Sequence, residues 1–187
     1  MKVNAITLRP GNIIEKDDKL WRVLKREEVH PGKGQSVLQA ELRDIVNGTK
    51  DNVRFRTQET VEKVRLDQEK YQYLFEADDM YTFMHLQNYE QIALDTELIG
   101  EQVVFLQEAM EVEIESYEGK PLSVVFPSTV ILKVEETEPV IKGQTVTSSF
   151  KPAIMDNGIR VMVPQHIDTG TMLVVKTEDS TYVERAK

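Results

Sequence analysis

An all-β chain built from three small barrels is what this sequence predicts. Three observations carry the prediction. Short alternating or β-branched runs follow one another with turn residues between them, helical periodicity is scarce, and the strands and turns fall into three blocks of roughly 60 residues each. Blocks at 1–64, 65–128 and 129–187 each hold their own strands, which suits small barrels better than one large sandwich. No Gly/Ser-rich stretch divides them, so the connections are expected to be short and fairly stiff.

In the first block, Leu20–Leu24 and Val37–Leu42 read as strands flanking the segment Lys25–Ser36. Val46-Asn47-Gly48-Thr49 reads as a tight hairpin turn, since Asn-Gly suits positive φ. Asn47-Gly48-Thr49 also spells a glycosylation acceptor, but with no secretory signal the turn is the better reading. Polar residues after Phe55 lead into Val61–Arg65, and a boundary is expected near residue 64. The second block continues with strands over Tyr71–Phe75, Tyr81–Met84 and Glu90–Ala93. Asp95 is placed to cap a short helical turn through Thr96, Glu97 and Leu98 that ends near Gly100. Strands resume at Val103–Leu106 and Met110–Ser116; Glu118-Gly119-Lys120-Pro121 then turns the chain into Leu122–Phe126, and Pro127 marks the second boundary. In the third block Val130–Val134, Ile159–Val163 and Met172–Lys176 read as strands, with a polar loop over Gly143–Lys151 and a break at Asp168-Thr169-Gly170.

The chain has 187 residues, 40% of them hydrophobic, enough to bury real cores. There is no run of about 18 apolar residues and no apolar, cleavable segment after Met1, so a cytoplasmic protein is expected, without a membrane span or secretory signal. Zero cysteines exclude disulfides, thiolate metal sites and cysteine nucleophiles. A net charge of −9 runs against a nucleic-acid partner, but the charge is unevenly spread. Residues 1–64 hold 13 Lys and Arg against 10 Asp and Glu, a net of +3, which leaves −12 for the remainder. Such a chain can set its basic end among phosphates while the acidic body limits indiscriminate RNA binding. An uneven solvated surface without functional meaning is the alternative.

No dinucleotide fingerprint, phosphate-binding loop or zinc-protease motif is present. His30, His85 and His166 lie far apart and lack ligand spacing, so no shared metal or catalytic site is expected. Glu111, Glu113 and Glu115 alternate along a strand with Val112 and Ile114 between them, which reads as a solvated face; a paired-carboxylate catalyst would need one carboxyl buried. His30-Pro31-Gly32-Lys33-Gly34-Gln35 is more informative. Pro31 fixes its own φ, the glycines admit angles that other residues avoid, and Lys33 is held at the apex with little bulk nearby. From spacing alone, an ordinary hairpin turn whose lysine serves solubility is the favoured reading, since Pro-Gly-x-Gly is common in turns.

Collinear words lift that ambiguity. Leu8-Arg9-Pro10-Gly11-Asn12, Pro31-Gly32-Lys33-Gly34-Gln35, Phe55-Arg56, Glu62-Lys63 and Tyr89-Glu90-Gln91 are followed by Ser149-Phe150-Lys151-Pro152-Ala153, Gly158-Ile159-Arg160-Val161-Met162-Val163-Pro164 and Thr181-Tyr182-Val183-Glu184-Arg185. In their order and spacing they resemble the elongation factor P family, which is related to initiation factor 5A of eukaryotes and archaea. The resemblance covers nearly the whole chain.

The resemblance implies an SH3-like (KOW-like) domain followed by two OB-like domains in an L-shaped, tRNA-like arrangement. It implies a non-enzymatic translation factor that binds the 70S ribosome between the peptidyl and exit sites, contacts both subunits and the peptidyl-tRNA, and relieves stalling at consecutive prolines. Lys33 matches the tip residue that lysine-type members modify, in some by a ligase resembling a lysyl-tRNA synthetase that attaches β-lysine; Pro31, Gly32 and Gly34 match the turn displaying it. No cofactor beyond that covalent extension, and no membrane, is implied, and a monomer is the default. Tyr182 and Arg185 match C-terminal residues that contact the small subunit, although a Tyr there equally serves to close a barrel. Gly143, Gln144 and Thr145 stand where many members carry Gly-Asp-Thr in a loop that faces the exit-site codon, so Gln144 departs from the family pattern at that contact. His30 stands where many carry Lys. Lysine at 33 points away from the rhamnosylated branch. The competing readings are a paralogous family member with a specialised role, an acid-base hydrolase using Glu111 or Glu113, and an OB-fold single-strand binder, which the −12 of the rear portion disfavours.

Overall fold

The computed structural model describes residues 1–140 and 149–187. Alternation of apolar and polar residues builds three curled sheets with little helix, in agreement with the all-β expectation. The first sheet takes β1 (Lys2–Asn4), β2 (Ile13–Lys16), β3 (Lys19–Val29), β4 (Val37–Asp44), β5 (Lys50–Arg56) and β6 (Thr60–Val64). Its spatial order is β1-β6-β2-β3-β4-β5, each neighbouring pair antiparallel. The second takes β7 (Asp67–Ala77), β8 (Met80–His85), β9 (Gln91–Asp95), β10 (Glu111–Tyr117) and β11 (Lys120–Val125), in the order β11-β10-β7-β8-β9. The third takes β12 (Thr129–Thr137), β13 (Phe150–Met155), β14 (Arg160–Pro164), β15 (Met172–Lys176) and β16 (Tyr182–Arg185), antiparallel throughout in the order β14-β13-β12-β15-β16.

The chain divides into two compact units, residues 1–69 with 114–123 and residues 70–113 with 124–187. In the first, strand periodicity sends every second side chain inward. Leu38, Ala40 and Leu42 of β4 pack with Ile14, Trp21, Val23 and Phe55 into one core, and Ala5 and Leu8 close it. Burying a side chain of the size of Leu38 or Leu42 contributes about 1.5–3 kcal/mol. Asp44 continues the inward row beyond Leu42 and is therefore buried too. Its carboxylate accepts from the amides of Val46 (2.9 Å) and Asn47 (3.1 Å) and from the Asn47 side chain (3.2 Å), organising the turn between β4 and β5. Burial pushes the Asp44 carboxyl up, but these donors and the charge of Lys19 outweigh it and hold its pKa below the ordinary value. Gly48, at φ +72°, takes the left-handed position that Asn-Gly announced.

In the second unit Phe83, Leu94, Ile99, Phe105 and Val112 are buried, as are Val130, Leu132, Val134, Met155, Val161, Val163, Leu173 and Val175. Asp95 caps the helical turn α1 (Thr96–Ile99), its carboxylate accepting from the Leu98 amide at 2.9 Å, and Gly100 ends it.

Four expectations need correction. Val103–Leu106 is not a strand: Glu101–Phe105 forms a 3-10 turn that drives Phe105 into the core and leaves Val104 exposed, so packing overrides the β-branched pair. Lys120 and Pro121 lie inside β11, which is possible because β11 is an edge strand where a missing N–H costs no ladder bond; the turn itself is Glu118-Gly119, both at positive φ. The polar loop stops short of Lys151, which sits in β13, buried, its ammonium donating to the Glu138 carbonyl at 2.5 Å. The solvated face ends at Glu115. That residue is only 3% exposed, and its carboxylate accepts from one guanidinium nitrogen of Arg22 at 2.7 Å to each oxygen, from Gln68 (3.2 Å) and from Ser123 (3.2 Å), all within the first unit. A charge buried on a strand must find such partners, and Arg22 lies 93 residues away in sequence.

Candidate functional site

β3 and β4 pair as far as Val29 and Val37, so the ladder runs further out than the sequence implied and leaves only residues 30–36 as the loop. The chemistry of this end is set by what the ladder carries outward. His30, Pro31, Gly32, Lys33, Gly34 and Gln35 are all exposed, with Lys33 in the middle. Among the described residues no ion pair or hydrogen bond ties down its amine. Gly34, at φ +119°, occupies backbone space closed to L side chains, whereas Gly32 has no such requirement. A Cβ at Gly34 would stand 3.8 Å from Cγ of Pro31, so these two residues on either side of Gly32 and Lys33 lie close together.

The neck of the loop is closed by side chains. His30 Nδ1 and Ser36 Oγ are 2.6 Å apart, and His30 Nε2 lies 3.6 Å from a carboxylate oxygen of Glu28. Glu28 in turn pairs with Arg26, whose other guanidinium nitrogen donates to the carbonyls of Ile6 and Leu8 at 3.2 Å each. The hairpin arm is thus tied to the 3-10 turn Ala5–Thr7. A groove of about 700 Å3 lined by Gln35, Ser36, Arg56, Thr57, Gln58 and Glu59 opens beside the β4 side of the loop. Reading by sequence missed Arg26: nothing in Lys25-Arg26-Glu27-Glu28 distinguishes the arginine that turns inward. What the arrangement can do is present one primary amine at the end of a braced projection.

The other expected residues lie elsewhere. Tyr182 and Arg185 are on β16, the former half-buried and the latter exposed, paired with Val175 and Leu173 of β15 within the second unit. Gly143, Gln144 and Thr145 lie outside the described residues. Pro31, Gly32, Lys33 and Gly34 share one loop, but Lys33 and Tyr182 belong to different compact units. Among the described residues no group of His, Asp and Glu is arranged to hold a metal, and no helix is long and apolar enough to cross a membrane.

Comparison with known proteins addresses the whole chain. Three family models match it in succession: the elongation factor P KOW-like domain over residues 4–61, the elongation factor P OB domain over 66–124, and the elongation factor P C-terminal domain over 130–185. The chain is 51% identical to elongation factor P of Rhodospirillum centenum over 187 residues, and 52% identical to that of Parvibaculum lavamentivorans over 186, with 100% of both chains covered in each case. The chain belongs to the elongation factor P family. Members of the elongation factor P family are translation elongation factors, and that is the role its identity supports. Among solved structures, initiation factor 5A from Methanococcus jannaschii is similar at 27% identity and a TM-score of 0.54, covering 65% of this chain and 90% of its own. An initiation factor 5A family protein from Naegleria fowleri, 18% identical with a TM-score of 0.54, covers 67% of this chain and 95% of its own and shares the fold.

Proposed function

We propose that this elongation factor P family member binds the ribosome between the peptidyl and exit sites and stimulates peptide-bond formation at consecutive prolines. In this reading Lys33, extended by a covalent modification, reaches toward the peptidyl-transferase centre. The observation that carries it is the exposed Lys33 amine at the end of a braced hairpin. Proline's ring restricts the nucleophile and the peptidyl end alike, so a group that holds the peptidyl-tRNA in a productive geometry lowers the entropic part of the barrier. The ribosome remains the catalyst; the factor contributes position and hydrogen-bond donors. A β-lysyl extension, attached by a ligase resembling a lysyl-tRNA synthetase, would lengthen the reach and add donors that a bare lysine lacks.

The same reading takes residues 1–64 as the SH3-like domain that carries the tip, and 65–128 and 129–187 as the two OB-like domains. It takes the factor as a cytoplasmic monomer with Tyr182 and Arg185 toward the small subunit. The net +3 of residues 1–64 suits a front end that works among phosphates. The test is a polyproline reporter translated in cells that lack the gene and carry either the wild-type chain or Lys33→Ala. Restoration by the first and not the second is expected. Full read-through in the absence of the chain would overturn the proposal. Peptide mass spectrometry of the native protein should place added mass on Lys33.

A further inference from the structure

A second loop in the molecule displays a side chain at a conformational cost. Residues 86–90, between β8 and β9, are organised around His85, which is 5% exposed and meets Tyr71 edge-on with ring centroids 5.0 Å apart. Its Nδ1 accepts from the amides of Gln87 (3.1 Å) and Asn88 (3.2 Å), its carbonyl from the amide of Tyr89 (3.0 Å), and its own amide donates to Glu90 (2.8 Å). Asn88 adds a side-chain bond to the Glu90 amide at 3.0 Å. The loop so fixed places Tyr89 at φ +61° with 68% of the residue exposed.

Both facts run against expectation for a turn residue. The left-handed region costs an L residue with a bulky side chain, and Gly or Asn takes it at little cost. A ring left in water gains no burial in return. Glycine fills such a position at Gly34 and Gly48, and the other non-glycine residues at positive φ among the described residues are Asp, Ala, Glu or Ser, which leaves Tyr89 as the one aromatic ring among them. An exposed ring held in this way is available to a partner outside the chain.

The charge around it selects the partner. Residues 70–113 carry ten Asp and Glu against Lys70 alone, a net of −9, and Glu90, next in sequence to Tyr89, is exposed. A phosphate backbone would be repelled there. Lysine and arginine side chains fit on both counts, since a tyrosine face attracts cations and an adjacent carboxylate pairs with them. We propose that Tyr89 is an anchor for a basic protein surface, the β8–β9 loop holding the ring ready so that little ordering is left to binding. The proposal rests on the ribosome reading above and places a ribosomal protein, rather than RNA, against this loop.

The test uses the full chain and purified 70S ribosomes. Tyr89→Gly and Tyr89→Asn remove the ring but suit the backbone. Each is expected to keep or raise the thermal midpoint, by up to about 2–4 °C, while weakening ribosome binding about threefold to tenfold. Tyr89→Phe, which keeps the ring, is expected to bind as wild type. A photoreactive benzoylphenylalanine at position 89 should cross-link to a Lys/Arg-rich segment of a ribosomal protein. Cross-linking to ribosomal RNA, or unchanged binding by the Gly and Asn variants, overturns the proposal. Failure of the wild-type chain to bind ribosomes at all would overturn the ribosome reading, and this proposal with it.

Discussion

The loops at 30–36 and 86–90 each hold one side chain out from the end of a β-hairpin, and they do so by opposite means. At the Lys33 loop the unusual backbone angle belongs to a glycine, and the displayed residue is flexible and charged. Its closure depends on one side-chain bond, His30 to Ser36, between groups near the surface. At the Tyr89 loop the displayed residue itself takes the left-handed angle, and a buried histidine accepts two amides to hold it there. A long side chain with a mobile amine needs clearance and reach, which glycine neighbours provide. A rigid ring with few rotamers is positioned by its backbone, so the backbone must be fixed.

Substitutions in the two loops test whether the contrast holds. The largest effect is expected for Lys33→Ala, which should lower the yield of a polyproline reporter about tenfold, equivalent to about 1.4 kcal/mol of barrier. The same variant should unfold within about 0.5 kcal/mol of wild type, because an exposed turn lysine holds nothing. A large loss of stability would mean that the lysine is structural. His85→Ala orphans two amides of a packed loop and should destabilise by about 1–3 kcal/mol in denaturant titration. A neutral result would show that the 86–90 loop is held by other means. Gly34→Ala forces a Cβ into φ +119° and should cost about 1–2 kcal/mol, or distort the tip. It should therefore lower reporter yield with Lys33 still present.

The turn at 45–49 supplies a third, acid-sensitive case. Asp44 has a folded pKa below its unfolded value, which is about 3.9. It therefore contributes stability that is fully present above that pH and is lost as pH falls through the lower folded value. Asp44→Ala should be less stable than wild type at neutral pH, and the gap should close in strong acid; unfolding curves from pH 7 to pH 2 measure it. The smallest effect belongs to His30→Ala, within about 0.5 kcal/mol in stability, with any change in function arising from a looser neck. An effect as large as that of His85→Ala would erase the distinction between the two loops.

How much of this was readable in advance follows from the same physics. The Lys33 loop was legible because Pro-Gly-x-Gly writes its backbone requirement into the residue types. The cap at Asp95 and the left-handed Gly48 were legible for the same reason. Tyr89 was noticed only as part of a family word, since no local rule says that a tyrosine will adopt glycine's angle; that outcome depends on His85, Asn88 and the ladder bonds around them. Val103–Phe105 misled because β-branched residues favour strands only where a partner strand exists, and here a 3-10 turn buries Phe105 instead.

Strand periodicity, the turns marked by glycine and asparagine, the uneven charge and the exposed lysine are all written in the order of the residues, because they rest on local conformational preference or simple counting. The burial of Glu115 against Arg22, the bracing of the tip by Arg26 through the carbonyls of Ile6 and Leu8, and the strained tyrosine left in water emerge only in the folded chain. Those outcomes depend on which distant groups arrive to satisfy a charge or a carbonyl removed from water, and such pairings across the chain leave no trace in the neighbouring residues.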